Sequence, residues 1–168
     1  AVTAGWPLWQ AEWGFAGTGE RDTQVWRAWL SSLRGPQRLF YGLDQLRRVP
    51  FAYRKTGLDL FSGDAGGWSV NVDRDVLTLT GLPNGFILTP GDYVAFRWGS
   101  NRRALVRLLE GGVGASITVT VEPAVSTIVP PSAMAFVQDP TCLMRLLPDL
   151  AAPVIGLDRS ITGRFSAI

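Results

Sequence analysis

From Ser69 to Pro123 the chain is a string of short apolar runs, SVNV, DVLTLTG, DYVAFRW, ALVRLLE and SITVTVEP, each bounded by Gly, Pro, Asn or Asp. Such runs read as strands, and turn signals recur here at roughly ten-residue intervals, the rhythm of a small barrel or sandwich. Within this region, TPGDYVAFRWGSNRRALVRLLEGG reads as two strands joined by a polar turn of Ser100, Asn101, Arg102 and Arg103. A Pro-Gly-Asp bend opens it, and STIVPPSAM closes the region with a Pro-Pro stop.

The flanks follow other rules. LWQAEWGF alternates, placing Trp9, Ala11, Trp13 and Phe15 on one face of a strand. Between Glu20 and Arg34 the period changes. Val25, Trp26, Trp29, Leu30 and Leu33 form one helical stripe, Thr18 suits the N-cap, and Gly35-Pro36 stops the helix. RLFYGL reads as a strand, and DQLRRVPFAYRKTG as an irregular connection in which Pro50 forbids a central strand position. AMAFVQ and CLMRLL are short apolar runs, PDLAAPVIG is a loop, and SITGRFSAI reads as a closing strand.

A closing strand needs a sheet to pair with, and the N-terminal segment has a sheet short of a partner. The expected fold class is therefore mainly β with one principal α-helix (α+β). One discontinuous domain comprises residues 1–57 plus 135–168, with its helix at 20–34. Residues 58–134 are expected as an inserted small β-barrel or sandwich.

With 168 residues and an apolar fraction of 46%, the chain can build a real core. It has no apolar run long enough to span a membrane, and its first residues lack the pattern of a signal peptide, so a soluble chain is expected. Sixteen basic against 14 acidic residues leave a net charge of +2, too small for a strong nucleic-acid footprint. Histidine is absent, which removes the commonest general base and metal ligand. The single cysteine, Cys142, cannot close an internal disulfide or build a zinc site, and its apolar setting suits a buried, inert thiol.

Asp73 and Asp75 lie two apart on an extended segment, as a paired-carboxylate or Mg²⁺ site requires. The plainer reading is a solvated hairpin turn with Arg74 between them. The glycine-rich stretches GDAGG and EGGVG lack the Lys and Ser/Thr of a phosphate loop and read as turns. No catalytic residues, metal ligands or cofactor-binding residues are expected, and the chain is expected not to be an enzyme.

What remains is surface. LRRVPFAYRK interleaves Arg47, Arg48, Arg54 and Lys55 with Phe51 and Tyr53, the pattern of a single-strand nucleic-acid surface; the plainer reading is a solvated loop or a subunit contact. Five of the seven Trp precede residue 30. Trp13, Trp26 and Trp29 suit the packing of helix on sheet, whereas Trp6 and Trp9 near the start suit a protein interface. Trp6, Trp9, Arg47, Arg48, Phe51, Tyr53, Arg54 and Lys55 are the subunit-interface candidates.

The order of these pieces resembles a family of tail-tip and baseplate proteins, the distal tail-like proteins of long-tailed bacteriophages and prophages. The resemblance runs through RDTQVWRAWLSSLRGPQRLFYGLD, GLPNGFILTPGDYVAFRWGSNRRALVRLLE, ASITVTVEPAV, AMAFVQDPTCLMRLL and SITGRFSAI, from about residue 9 onward. It implies a tail-tube-like β-sandwich carrying the inserted barrel, and a ring, expected as a hexamer, that joins the tail tube to the tip. The implied neighbours are tube, hub and tape-measure proteins, with DNA only in transit and no membrane. The implied place is the virion tail, after synthesis in the host cytoplasm. Two other classes stand beside it: a β-rich adaptor or receptor- or carbohydrate-binding module, and a small enzyme using Asp73, Asp75 and Asp92.

Overall fold

The structure, a computed structural model, describes residues 9–15, 19–58, 63–146, 154–155 and 161–167. The chain divides into two compact units, and among the described residues one spans Leu43–Cys142 while the other joins the flanks on either side of it.

The flanking unit begins with β1 (Ala11–Phe15), α1 (Glu20–Ser32) and β2 (Leu39–Leu43). Gly19 occupies the N-cap of α1, and Thr18 lies outside the described residues. Thr23 is buried, and its hydroxyl donates to the Gly19 carbonyl at 3.1 Å. The helix ends before Arg34, which takes a left-handed φ of 52°, followed by Gly35 at 62°. Leu33 is buried, while Trp26 and Trp29 are half-buried and meet edge to face at 5.5 Å. Trp29 also meets Phe40 of β2 edge to face at 5.4 Å. Val25, expected in the same stripe, is 64% exposed and belongs to the outer face.

The middle unit contains β3 (Gly67–Val70), β4 (Val76–Thr80), β5 (Ile87–Leu88), β6 (Tyr93–Trp98), β7 (Arg102–Leu108), β8 (Gly112–Val113), β9 (Ser116–Glu122) and β10 (Met134–Phe136). Six of these make one sheet in the order β10-β6-β7-β9-β4-β3, and β5 pairs with β8. The period of two decides the faces: Leu77, Leu79, Val94, Phe96, Val106, Leu108, Ile117, Val119 and Val121 are buried in one core cluster. Thr78 and Thr118, opposite each other in the register, share a hydroxyl hydrogen bond of 2.9 Å.

The segment entering β3 returns to the far edge of the sheet. Ala65 N–H donates to Ala135 O and Val137 N–H to Gly63 O, both at 2.8 Å. Trp68 Nε1 adds a bond to Ala133 O at 2.7 Å. The two ends of the strand order therefore meet. Gly63 makes the approach possible: its φ is +80°, and a Cβ there would overlap Gln138.

The flanking unit resumes with β11 (Thr141–Arg145), which pairs with β2, then β12 (Val154–Ile155) and β13 (Ile161–Ala167). Strand β13 is central in the order β1-β13-β12 and pairs antiparallel with β1, from Ala11↔Ala167 to Phe15↔Gly163. The fold is mainly β with one α-helix among the described residues.

The unit boundaries fall at 43 and 142 rather than 57 and 135. Residues 44–57 lie with the middle unit because their hydrogen bonds and stacking are made there, and 137–139 because they pair back onto Gly63 and Arg48.

Candidate functional site

The connection 44–57 carries most of the interface candidates, and its geometry starts from the Pro90-Gly91-Asp92 bend. Asp92 is 1% exposed. Its Oδ2 accepts the Thr89 N–H at 2.7 Å and the Thr89 hydroxyl at 2.9 Å, and its Oδ1 accepts the Phe51 N–H at 2.9 Å. A buried carboxylate is tolerated when its oxygens are bonded in this way. Here it ties the bend to the short 3₁₀ turn Phe51–Tyr53. Arg47 closes the same bend from the other side, its Nη1 donating to Gly91 O at 2.6 Å. Gly91 has φ +87°, and a Cβ there would come within 2.8 Å of that guanidinium.

The interface candidates thus divide. Arg47 is half-buried and used internally. Tyr53 is half-buried, stacks on Phe86 at 4.9 Å, and accepts the Ile87 N–H on its hydroxyl at 3.0 Å. Arg48 is exposed but clasped: its Nε donates to Asp139 Oδ1 at 2.7 Å, while Asp139 N–H donates to Arg48 O at 2.6 Å. That hydrogen bond and the charge of Asp139 hold the Arg48 guanidinium above its ordinary pKa. Asp139 adopts a left-handed φ of 44° to make the clasp. Phe51, Arg54 and Lys55 remain exposed, Phe51 to 59%. Trp9 is half-buried just ahead of β1, and Trp6 lies outside the described residues.

Of the carboxylates considered for chemistry, Asp75 and Asp92 take separate structural roles. Asn71 Nδ2 donates to Asp75 Oδ1 at 2.7 Å, and Asn71 Oδ1 accepts the N–H groups of Asp75 and Val76 at 3.1 Å each. Arg74, at φ 61°, turns its guanidinium onto Val125 O (2.6 Å) and Ser126 O (2.9 Å). Asp73 stands exposed at the tip. Among the described residues no three His, Cys, Asp or Glu gather as a metal site. Burial raises the Cys142 thiol from its ordinary 9.0 to about 11, away from the thiolate that reacts.

One surface escaped the reading of the sequence. A polar groove of about 390 Å³ in the middle unit is lined by Asp64, Arg97, Arg103, Phe136, Gln138 and Asp139, among others. Arg97 and Arg103 sit directly opposite each other in the β6–β7 register, and the Arg97 guanidinium lies 5.5 Å from the centre of the Phe136 ring. The signal was available: a hairpin centred on Ser100 pairs any two residues equidistant from it.

The chain matches no protein-family model, no curated protein and no solved structure.

Proposed function

We propose that this chain is a structural subunit of a bacteriophage tail tip or baseplate, a distal tail-like protein that closes into a ring between tail tube and tip proteins. The observation that carries the reading is the pairing of β1 with β13, Ala11↔Ala167, which joins the flanks on either side of Leu43–Cys142 in the sequence into one unit. That arrangement agrees with the resemblance in its segments: a tail-tube-like β-sandwich with an inserted small barrel. The meeting of β10 with the segment entering β3 supports the barrel, since closure leaves few free edges. The roles of Asp75 and Asp92 in holding turns support a scaffold over an enzyme. Exposed Phe51, Arg54 and Lys55 supply contact surface, and a ring with a DNA channel needs a lumen that does not grip phosphate.

Light scattering of the purified chain, with electron microscopy of the same sample, tests this. Closed rings with an axial opening are expected, six-fold in order, with no tight DNA binding at physiological salt. A monomer at the highest soluble concentration, or a monomer that binds a glycan array, overturns it.

A further inference from the structure

The turn between β4 and β5 carries the dipeptide Asn84-Gly85. An asparagine side chain followed by glycine closes readily on the main chain, because no Cβ screens the glycine nitrogen. This turn leaves that reaction open. Asn84 and Gly85 are both exposed, and no hydrogen bond among the described residues uses the Asn84 carboxamide or the Gly85 N–H. Gly85 has φ +72°, and a Cβ built there would meet nothing within 4 Å. The residues on either side are anchored. Leu82 N–H donates to Ala115 O at 3.1 Å, Phe86 N–H to Pro83 O at 3.0 Å, and Gly114 N–H to Phe86 O at 2.9 Å.

The chain has two other asparagines, and both differ. The Asn71 side chain is held by its bonds to Asp75 and Val76, and the β-branched Val72 follows it. Asn101 is followed by Arg102, whose Cβ screens the nitrogen that a glycine leaves bare.

We propose that Asn84 is a site of spontaneous modification, where the exposed Asn84-Gly85 turn converts to aspartate and isoaspartate with water as the co-reactant. The Gly85 nitrogen gives its proton to solvent and attacks Asn84 Cγ. The new C–N bond forms as the Cγ–Nδ2 bond breaks, and Nδ2 leaves as ammonia. Water then opens the cyclic imide. Cleavage at Cγ yields aspartate on an ordinary main chain. Cleavage at the main-chain carbonyl of residue 84 yields isoaspartate, with the chain running through Cβ. Either product puts a negative charge on the stretch Gly81–Ile87, which carries none. In isoaspartate the added main-chain carbon falls between the anchored Leu82 and Phe86. Phe86 stacks on Tyr53 at 4.9 Å, and the Ile87 N–H donates to the Tyr53 hydroxyl at 3.0 Å, so the charge arrives beside the 3₁₀ turn Phe51–Tyr53. This chemistry does not depend on ring assembly.

The test incubates the full chain in mildly alkaline buffer at physiological temperature, both folded and in urea. Each asparagine is followed by peptide mass spectrometry and by labelling with an isoaspartyl methyltransferase. In the folded chain Asn84 should convert at least about tenfold faster than Asn71 or Asn101, a barrier difference of about 1.4 kcal/mol. Its rate should fall less than about tenfold below that of the urea-unfolded chain, since no bond in the turn locks it. Gly85→Ala should slow conversion at Asn84 in urea, a comparison that does not require the variant to fold. Conversion confined to the unfolded chain overturns the proposal, and so does faster conversion at Asn71 or Asn101. Equal rates for Gly85→Ala and wild type would show that the bare glycine nitrogen does not select the site, which also overturns it.

Discussion

The Asp92 carboxylate accepts the Phe51 N–H at 2.9 Å, joining a bend before β6 to a turn forty-one residues upstream. With the two Thr89 donors it satisfies three groups at a site 1% exposed. Asp92→Ala should therefore cost about 3 kcal/mol or more, since each buried donor left unpaired costs about 1–3 kcal/mol. Asp92→Asn should cost less, because one oxygen remains to accept. Urea unfolding checks both. A loss below about 1 kcal/mol would show that the bend stands without the carboxylate.

Trp29 is half-buried between Trp26 and Phe40. Truncating a fully buried aromatic costs about 3–5 kcal/mol. Partial burial lowers the expectation for Trp29→Ala to about 2 kcal/mol, measured by thermal or denaturant unfolding. Val25→Ser, on the exposed face, should change stability by less than about 0.5 kcal/mol.

Arg47 and Arg48 differ although they are neighbours. Arg47 is half-buried with a charge-assisted bond to Gly91 O, so Arg47→Ala should cost about 1–2 kcal/mol. The Arg48–Asp139 pair is exposed, with side-chain exposures of 58% and 39%, and a double-mutant cycle should return less than about 1 kcal/mol of coupling. Charge reversal at both arginines would disturb the folded unit as well as any subunit contact. Arg54 and Lys55, exposed and outside these bonds, are the better positions for testing assembly.

Cys142 makes stability depend on pH in the alkaline range. Its folded pKa is raised from 9.0 to about 11, so the folded state holds the thiol proton more tightly than the unfolded one. The stabilisation is fully present below pH 9 and is lost as pH rises toward 11, by roughly 2–3 kcal/mol at about 1.4 kcal/mol per unit. Unfolding of wild type and Cys142→Ala across this range should show the steeper decline in wild type. An equal slope in the two would show that burial does not hold the proton.

The strands of the middle unit were legible because their signals are local. DVLTLTG, DYVAFRW and SITVTVEP alternate with period two, and that alone sends Leu77, Val94 and Val119 inward. The helix at 20–34 was legible for the same reason, although its last turn yields to left-handed Arg34 and Gly35. The pairing of the closing strand with β1 followed from counting sheets in need of a partner. Tertiary structure alone decided the partners of polar groups. Arg47, Arg48 and Tyr53 looked like free surface in LRRVPFAYRK, yet their bonds go to Gly91, Asp139 and Ile87, residues far away along the chain. Asp92 looked like a candidate acid and proved to be the buried tie of a bend. Hydrophobic periodicity is written residue by residue, so a single sequence displays it. A hydrogen bond between distant segments depends on how the sheet closes, and only the folded chain brings those atoms within 3 Å.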